Sequence, residues 1–199
     1  MSLDKYLEES VDEKTVESLR EKAGKKIEQE KWGDKGRNVP LKGFNFLQCW
    51  VSEIAFGKIL DSQKIRNSWA GTYVGDAEHA PPNYTIWIKG VETRLGIRSR
   101  LLRDLARWLE VPYPDDRFRL EKEKIHDYII ASSVSFLNGK GAAVRFYGAC
   151  ERTDFLKILE GIQRIPSGRQ QEYFRPVPLK YFNFDLMLKL FQEADKIQG

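Results

Sequence analysis

The stretch NYTIWIKGVETRLGIRSR, residues 83–100, carries the clearest strand and turn pattern of the chain. Residues 84–88 are mostly β-branched or aromatic, Lys89 and Gly90 interrupt the run, and residues 91–97 resume it. Two such runs joined by a two-residue turn predict an antiparallel hairpin. This hairpin is the feature around which the rest of the fold is predicted.

The second strand of the hairpin combines an acid and a base with an excess of positive charge. Glu92 and Arg94 are two residues apart, so strand alternation places them on one face. Between Lys89 and Arg107 there are six basic and two acidic residues, a net +4 that equals the formal charge of the whole chain. Such clustering predicts a polyanionic partner, and the alternative is a solvated, salt-bridged face. The residues predicted to bind nucleic acid are Arg98, Arg100, Arg103 and Arg107.

Helix and strand patterns extend from this hairpin in both directions. Apolar residues at three- and four-residue spacing predict helices at 12–31, 44–60, 100–110, 154–161 and 183–197. Residues 126–136 and 142–150 predict a second hairpin, because Asn-Gly-Lys-Gly separates them. Thr153 is the predicted helix N-cap, 111–118 a loop, and 173–182 an irregular extended segment. This order predicts an α/β (α+β) fold with a mixed sheet flanked by helices.

Length and composition predict one globular domain. The 199 residues divide into an N-terminal helix at about 12–31, a core at about 44–162 and a C-terminal helical extension at 163–199. With 41% hydrophobic and 12% aromatic residues, the chain is unlike a disordered protein. No run resembles a membrane span or a signal peptide, so a cytoplasmic protein is expected. Two Cys and two His, far apart in sequence, argue against a zinc site.

Glu53 is an acid in the most apolar helix candidate, FNFLQCWVSEIAFGKIL. A helix that is apolar on so many sides is expected to be buried, and Glu53 with it. A buried carboxylate needs a partner, a proton or a metal ion. An ion pair with an arginine is one explanation of Glu53, and a functional site is the other.

The order of these elements resembles the core of the PD-(D/E)xK nuclease superfamily, the restriction-endonuclease-like fold. In that family a helix with a Glu precedes a hairpin whose first strand begins with Pro-Asp and whose second carries Glu/Asp-x-Lys. Here SEIAFGKIL resembles the helix, PPNYTIWI the first strand and VETR the second. The resemblance covers about residues 44–162.

This resemblance implies a metal-dependent nuclease that hydrolyses phosphodiester bonds in DNA. Oxygen ligands hold Mg²⁺ or Mn²⁺, which binds the phosphate and lowers the pKa of a bound water. Glu53 and Glu92 match two of the family's acids, but Asn83 replaces the usual Asp, and Asp76 is the carboxylate that could compensate. Arg94 replaces the usual Lys; it is too basic to act as a general base, but it can stabilise a phosphate.

Two other functions are compatible with the same sequence. The first is a catalytically inactive nuclease-fold module that binds nucleic acid without metal. The second is a protein-interaction subunit that uses the aromatic residues of EYFRPVPLKYF. A homodimer would suit an enzyme that cuts both DNA strands. The alternative for Glu92 and Arg94 is an exposed ion pair of ~0–1 kcal/mol.

Overall fold

The computed structural model describes residues 4–29, 39–71, 82–120, 125–166 and 173–197. Within these ranges the chain forms a mixed sheet with helices on both faces and a second, smaller sheet. The elements in chain order are β1 Leu7–Val11, α1 Glu13–Gln29, α2 Val39–Ser62, β2 Asn67–Trp69, β3 Tyr84–Ile88, β4 Val91–Leu101, α3 Leu102–Trp108, β5 Glu110–Pro114, α4 Asp115–Leu120, β6 Tyr128–Leu137, β7 Gly141–Glu151, α5 Arg152–Gly161, β8 Ile165–Pro166, β9 Tyr173–Pro178 and α6 Phe184–Glu193.

The main sheet has the strand order β1-β7-β6-β4-β3-β2. Strands β4 and β6 are parallel, and the other neighbours are antiparallel. The predicted hairpin of β3 and β4 is present, and its turn residues Lys89 and Gly90 have φ values of 52° and 78°. Positive φ at both positions belongs to the type I′ turn, whose twist matches that of the strands. The predicted mixed sheet flanked by helices is confirmed.

The two faces of this sheet contact different hydrophobic cores. Leu95 and Ile97 of β4 pack with α1, α2 and α6 in the first core. Ile129 of β6 and Tyr147 of β7 pack with α3, α5 and the small sheet in the second. The small sheet has the order β5-β9-β8. Since strand side chains alternate, neighbouring residues of one strand enter different cores.

Some predicted boundaries are wrong, and the largest error follows the hairpin. Strand β4 continues to Leu101 and α3 begins at Leu102, so Arg100 lies on a strand and not on a helix. Its strand pairing with β6 continues as far as Leu101, which outweighs the helical spacing of the leucines. The predicted loop at 111–118 contains strand β5 and the start of α4. Pairing with β9 at five residue pairs, from Glu110 to Pro114, makes this proline-containing segment a strand.

The remaining helices agree with the sequence more closely. Helices α1 and α2 are present, and Val16, Leu19 and Ala23 of α1 are buried as the spacing predicts. The N-cap of α5 is Glu151 and not Thr153, whose hydroxyl instead donates to the Glu151 carboxylate. In the part of the chain that the structure describes, no helix is long and apolar enough to cross a membrane.

Candidate functional site

Glu53 is buried at the centre of a hydrogen-bonded group between α2 and the hairpin. Its side chain is 5% exposed. The Trp69 indole Nε1 donates to Glu53 Oε2 over 3.0 Å, and Asn83 Nδ2 donates to Oε1 over 2.7 Å. The Tyr84 hydroxyl donates to the backbone oxygen of Glu53 over 2.9 Å. Both carboxylate oxygens therefore accept a hydrogen bond from a neutral donor.

Asn83 links Glu53 to the edge of β4. It lies immediately before β3, and its Oδ1 accepts from the backbone N–H of Ile97 over 2.8 Å. Because Tyr84 pairs with Leu95, Asn83 is level with Gly96, beyond the last residue pair of the β3–β4 ladder. The amide thus satisfies a strand N–H with its oxygen and a buried carboxylate with its nitrogen. Both ends of the Asn83 amide are occupied.

Burial dominates the electrostatics of Glu53. Loss of water around the carboxylate raises the pKa of Glu53 to about 7 from its ordinary 4.5. The hydrogen bond from Trp69, the charge of Arg98, the hydrogen bond from Asn83 and the charge of Lys26 each lower that pKa, and together they do not offset burial. Glu53 therefore exchanges its proton near neutral pH, as general acids and bases at functional sites often do.

Glu92 and Arg94 lie on the other face of β4 from the side chains that contact α2. Leu95 and Ile97 enter the first core with α2, so alternation directs Glu92 and Arg94 the opposite way. The Arg94 guanidinium pairs with Asp127, with Nη2 3.1 Å from Oδ1 and Nε 3.3 Å from Oδ2. Burial alone would raise the pKa of Asp127, but hydrogen bonds from Arg94 outweigh it and lower that pKa. The structure therefore separates this pair from Glu53.

The strand position next to Asn83 is Gly96, four residues after Glu92. Gly96 has no side chain to offer, and a Cβ there would lie 2.2 Å from Cδ2 of His126. Arg98 lies two residues further along β4, and its charge acts on Glu53. The sequence contained the signal for this register, since counting outward from the Lys89-Gly90 turn pairs residue 83 with 96. No sequence feature linked Trp69 to Glu53.

The described donors around Glu53 do not fit a Mg²⁺ or Mn²⁺ site. Such ions need several hard oxygen ligands in near-octahedral geometry. Here the Asn83 amide presents its nitrogen to Glu53, and its oxygen is bound to Ile97. Among the described residues no group of three His, Cys, Asp or Glu side chains is placed to hold a metal ion. Asp76, the predicted third carboxylate, lies outside the described residues.

Of the four arginines predicted to bind nucleic acid, two face inward and two outward. The Arg98 guanidinium stacks on Tyr113, with Cζ 4.7 Å from the ring centroid. Arg100 Nη1 donates to the backbone oxygen of Glu110 over 3.0 Å and lies 3.3 Å from its carboxylate. Arg103 and Arg107, on α3, are exposed. The extension of β4 explains this division. Residues 98 and 100 are on the strand and their side chains contact β5, whereas residues 103 and 107 are on α3 and their side chains are exposed.

Arg103 also borders a cavity of about 340 Å³ between α2, α3 and β6. Phe44, Leu47 and Phe136 supply apolar walls, and Arg20 of α1 is a second guanidinium among the lining residues. An open cavity with two cations and apolar walls matches an anion that also carries an aromatic or apolar part. Arg103 therefore belongs both to the exposed face of α3 and to the lining of this cavity.

Comparison of the chain with protein-family models, with curated proteins and with solved structures finds no match in any of the three.

Proposed function

We propose that this protein binds nucleic acid through α3, and that the nuclease-like hairpin is a scaffold without a working metal centre. The observation that supports binding is the exposure of Arg103 and Arg107 in the stretch that holds the net positive charge of the chain. The side chain of Arg103 is 82% exposed. Its contact with Asp104, 3.6 Å from Nε to Oδ1, is an exposed pair, which contributes little to stability and is readily exchanged.

Binding of this kind depends on phosphate charge. Each guanidinium that neutralises a phosphate releases condensed counterions, so affinity falls as salt rises. Arg103 and Arg107 offer planar guanidinium groups that can contact phosphate oxygens in a bidentate manner. Arg98 and Arg100, committed to β5, position this surface and do not contact the ligand. Glu53 remains buried between Trp69 and Asn83 and has no role in contacting phosphate.

The direct test compares two double variants that remove equal charge. Arg103→Ala/Arg107→Ala is expected to weaken binding of a labelled DNA oligonucleotide and to lower the slope of log K against log salt by about two. Lys157→Ala/Lys189→Ala, on the exposed faces of α5 and α6, is the matched control and should bind as the wild type does. Fluorescence anisotropy over a salt series measures both quantities. Equal loss in both variants would contradict a specific role for α3.

Metal-dependent phosphodiester hydrolysis is the second candidate, because positions 53 and 83 lie side by side, although the donors now present there do not fit a metal ion. Glu53, which the family resemblance assigns to the metal site, and Asn83, which replaces the family's Asp, are 2.7 Å apart between Oε1 and Nδ2. An Asp at position 83 would place a second carboxylate at that contact. We expect Asn83→Asp to gain a calorimetric Mn²⁺ isotherm that the wild type lacks, because charge is what the amide fails to supply. A wild-type isotherm, with DNA cleavage that Glu53→Gln abolishes, would instead establish the hydrolase.

A further inference from the structure

Two exposed aromatic residues, each beside a cation, lie on adjoining segments where α3 joins the small sheet. Trp108 is 54% exposed and Tyr181 is 42% exposed. Arg107 Cζ lies 4.9 Å from the Trp108 ring centroid, and Lys180 Nζ lies 5.1 Å from that of Tyr181. Leu109, between the two pairs, is 41% exposed. These five residues are called the aromatic corner.

The corner is held in place by buried residues on both sides. Leu109 ends α3 in the left-handed conformation, with φ 51°, and its N–H donates to the carbonyl of Leu105. The N–H of Leu179 donates to the Leu109 carbonyl over 2.7 Å, and Glu110 pairs with Pro178 immediately beyond. Leu105 is fully buried and Leu179 is 5% exposed. The segments that carry Trp108 and Tyr181 are therefore fixed next to each other, although these two residues are 73 positions apart in sequence.

Charge decides which partner this apolar surface suits. Two acids near the corner in sequence lie against arginines, Asp104 beside Arg103 at the surface and Glu110 beside Arg100. The five residues of the corner are two cations, two aromatic residues and Leu109, and none of them is acidic. A second copy of the chain would bring like charges together, which opposes self-association through this surface. A polyanion with flat apolar groups matches both features, because the cations meet its charge and the rings meet its flat groups.

We infer that the aromatic corner binds single-stranded nucleic acid, with bases stacking on Trp108 and Tyr181 and phosphates contacting Arg107 and Lys180. This rests on the proposed nucleic-acid binding and adds which form of nucleic acid is bound. In a duplex the base faces are covered by their neighbours, so a protein ring meets a base face when the base is unpaired. Every base can stack on an aromatic ring, so the corner is expected to distinguish single-stranded from double-stranded nucleic acid and not one base sequence from another.

The test uses one mixed-sequence DNA oligonucleotide, labelled, as a single strand and as its duplex. Trp108→Ala and Tyr181→Ala are each expected to weaken single-strand binding by about 5- to 150-fold and to leave duplex binding almost unchanged. Trp108→Phe, which keeps a ring, should retain most of the affinity. Tyr181 has a matched control in Tyr173→Ala, since Tyr173 is 46% exposed with Arg164 over its ring at 4.5 Å. Tyr173→Ala should bind as the wild type does.

The outcomes separate this inference from the proposed function. Absence of binding to either form overturns both. If Arg103→Ala/Arg107→Ala weakens binding but Trp108→Ala and Tyr181→Ala do not, only the inference about the aromatic corner is overturned. The same holds if duplex and single strand bind equally well. Loss in Tyr173→Ala equal to that in Tyr181→Ala overturns the assignment to this corner. Equal displacement by polyglutamate and by unlabelled single strand would make the corner a site for acidic proteins, which also overturns it.

Discussion

Glu53 is an ionisable residue on a helix whose apolar composition buries it. The apolar composition of α2 places residue 53 inside the protein, where a charged carboxylate loses its hydration. Two neutral donors, Trp69 and Asn83, satisfy its oxygens without supplying a full counter-charge within hydrogen-bond distance. The result is a carboxyl whose pKa is raised to about 7. Among the described residues, Glu53 is thus one at which pH near neutrality is expected to act.

We expect Glu53 to make the protein less stable as pH rises toward and through neutrality. The pKa of Glu53 is about 7 when folded and 4.5 ordinarily, so between these values the folded chain holds a proton that the unfolded chain has lost. The stabilisation is complete below 4.5 and is lost as pH rises through about 7. A difference of this size corresponds to about 3 kcal/mol in the free energy of unfolding.

Urea denaturation of the wild type and of Glu53→Gln at about pH 5 and about pH 8 measures this effect. Gln keeps the shape and carries no titrating proton, so the variant should show a smaller change in unfolding free energy across that range. Asp127, whose pKa is lowered from its ordinary 3.8, changes protonation below this window and does not obscure the comparison. Identical pH dependence in the two proteins would show that Glu53 titrates at its ordinary value.

Among the elements, strand β4 and helix α3 show where local pattern and tertiary pairing disagree. The spacing of leucines after residue 100 is helical, and α3 is indeed a helix. Its start moves to Leu102 because β6 continues to pair with β4 up to Leu101. That shift of one or two residues removes Arg100 from the surface predicted for it. The type of each of these two elements was therefore predictable from local sequence. The boundary between β4 and α3, which determines whether Arg98 and Arg100 are exposed, was not.

A buried ion pair joins three other elements. Asp115 begins α4 and its side chain is 1% exposed; its Oδ1 accepts from Arg175 Nε of β9 over 2.7 Å. Nη1 of Arg175 donates to the carbonyls of Leu159 and Ile162, each over 2.7 Å, at the end of α5. The guanidinium thus connects the small sheet to α5. Removing its buried counter-charge leaves Arg175 uncompensated.

We expect Asp115→Ala to lower the free energy of unfolding by about 3–5 kcal/mol, the usual cost of removing one partner of a buried pair. Asp154→Ala is the matched control, since Asp154 is 69% exposed and forms a surface pair with Lys157. That variant should lose about 0–1 kcal/mol. Guanidinium chloride denaturation of both proteins gives the comparison. A loss in Asp115→Ala no larger than in the control would mean that Arg175 finds other partners or water.

At the scale of the whole molecule, the main sheet separates two groups of residues that the family resemblance assigns to one site. Glu53 lies with α2 on one side, and Arg94, which is two residues from Glu92, pairs with Asp127 on the other. The family motif read from residues 92–94 therefore does not gather at Glu53. The contact between Glu53 and Asn83 is instead made at the open end of the hairpin, where β3 has ended and β4 continues.

The amino-acid sequence by itself determined the elements that depend on neighbours along the chain. The β3–β4 hairpin follows from its turn, α1 and α2 from their spacing, and the positive charge from its arginines. Only the tertiary structure decided which side chains meet across distant segments. Trp69 donates to Glu53, Arg98 lies over Tyr113 of β5, and a hydrogen bond from Leu179 to Leu109 joins the segment of Tyr181 to that of Trp108. These contacts depend on strand register and on the packing of separate elements, which local side-chain preferences do not encode.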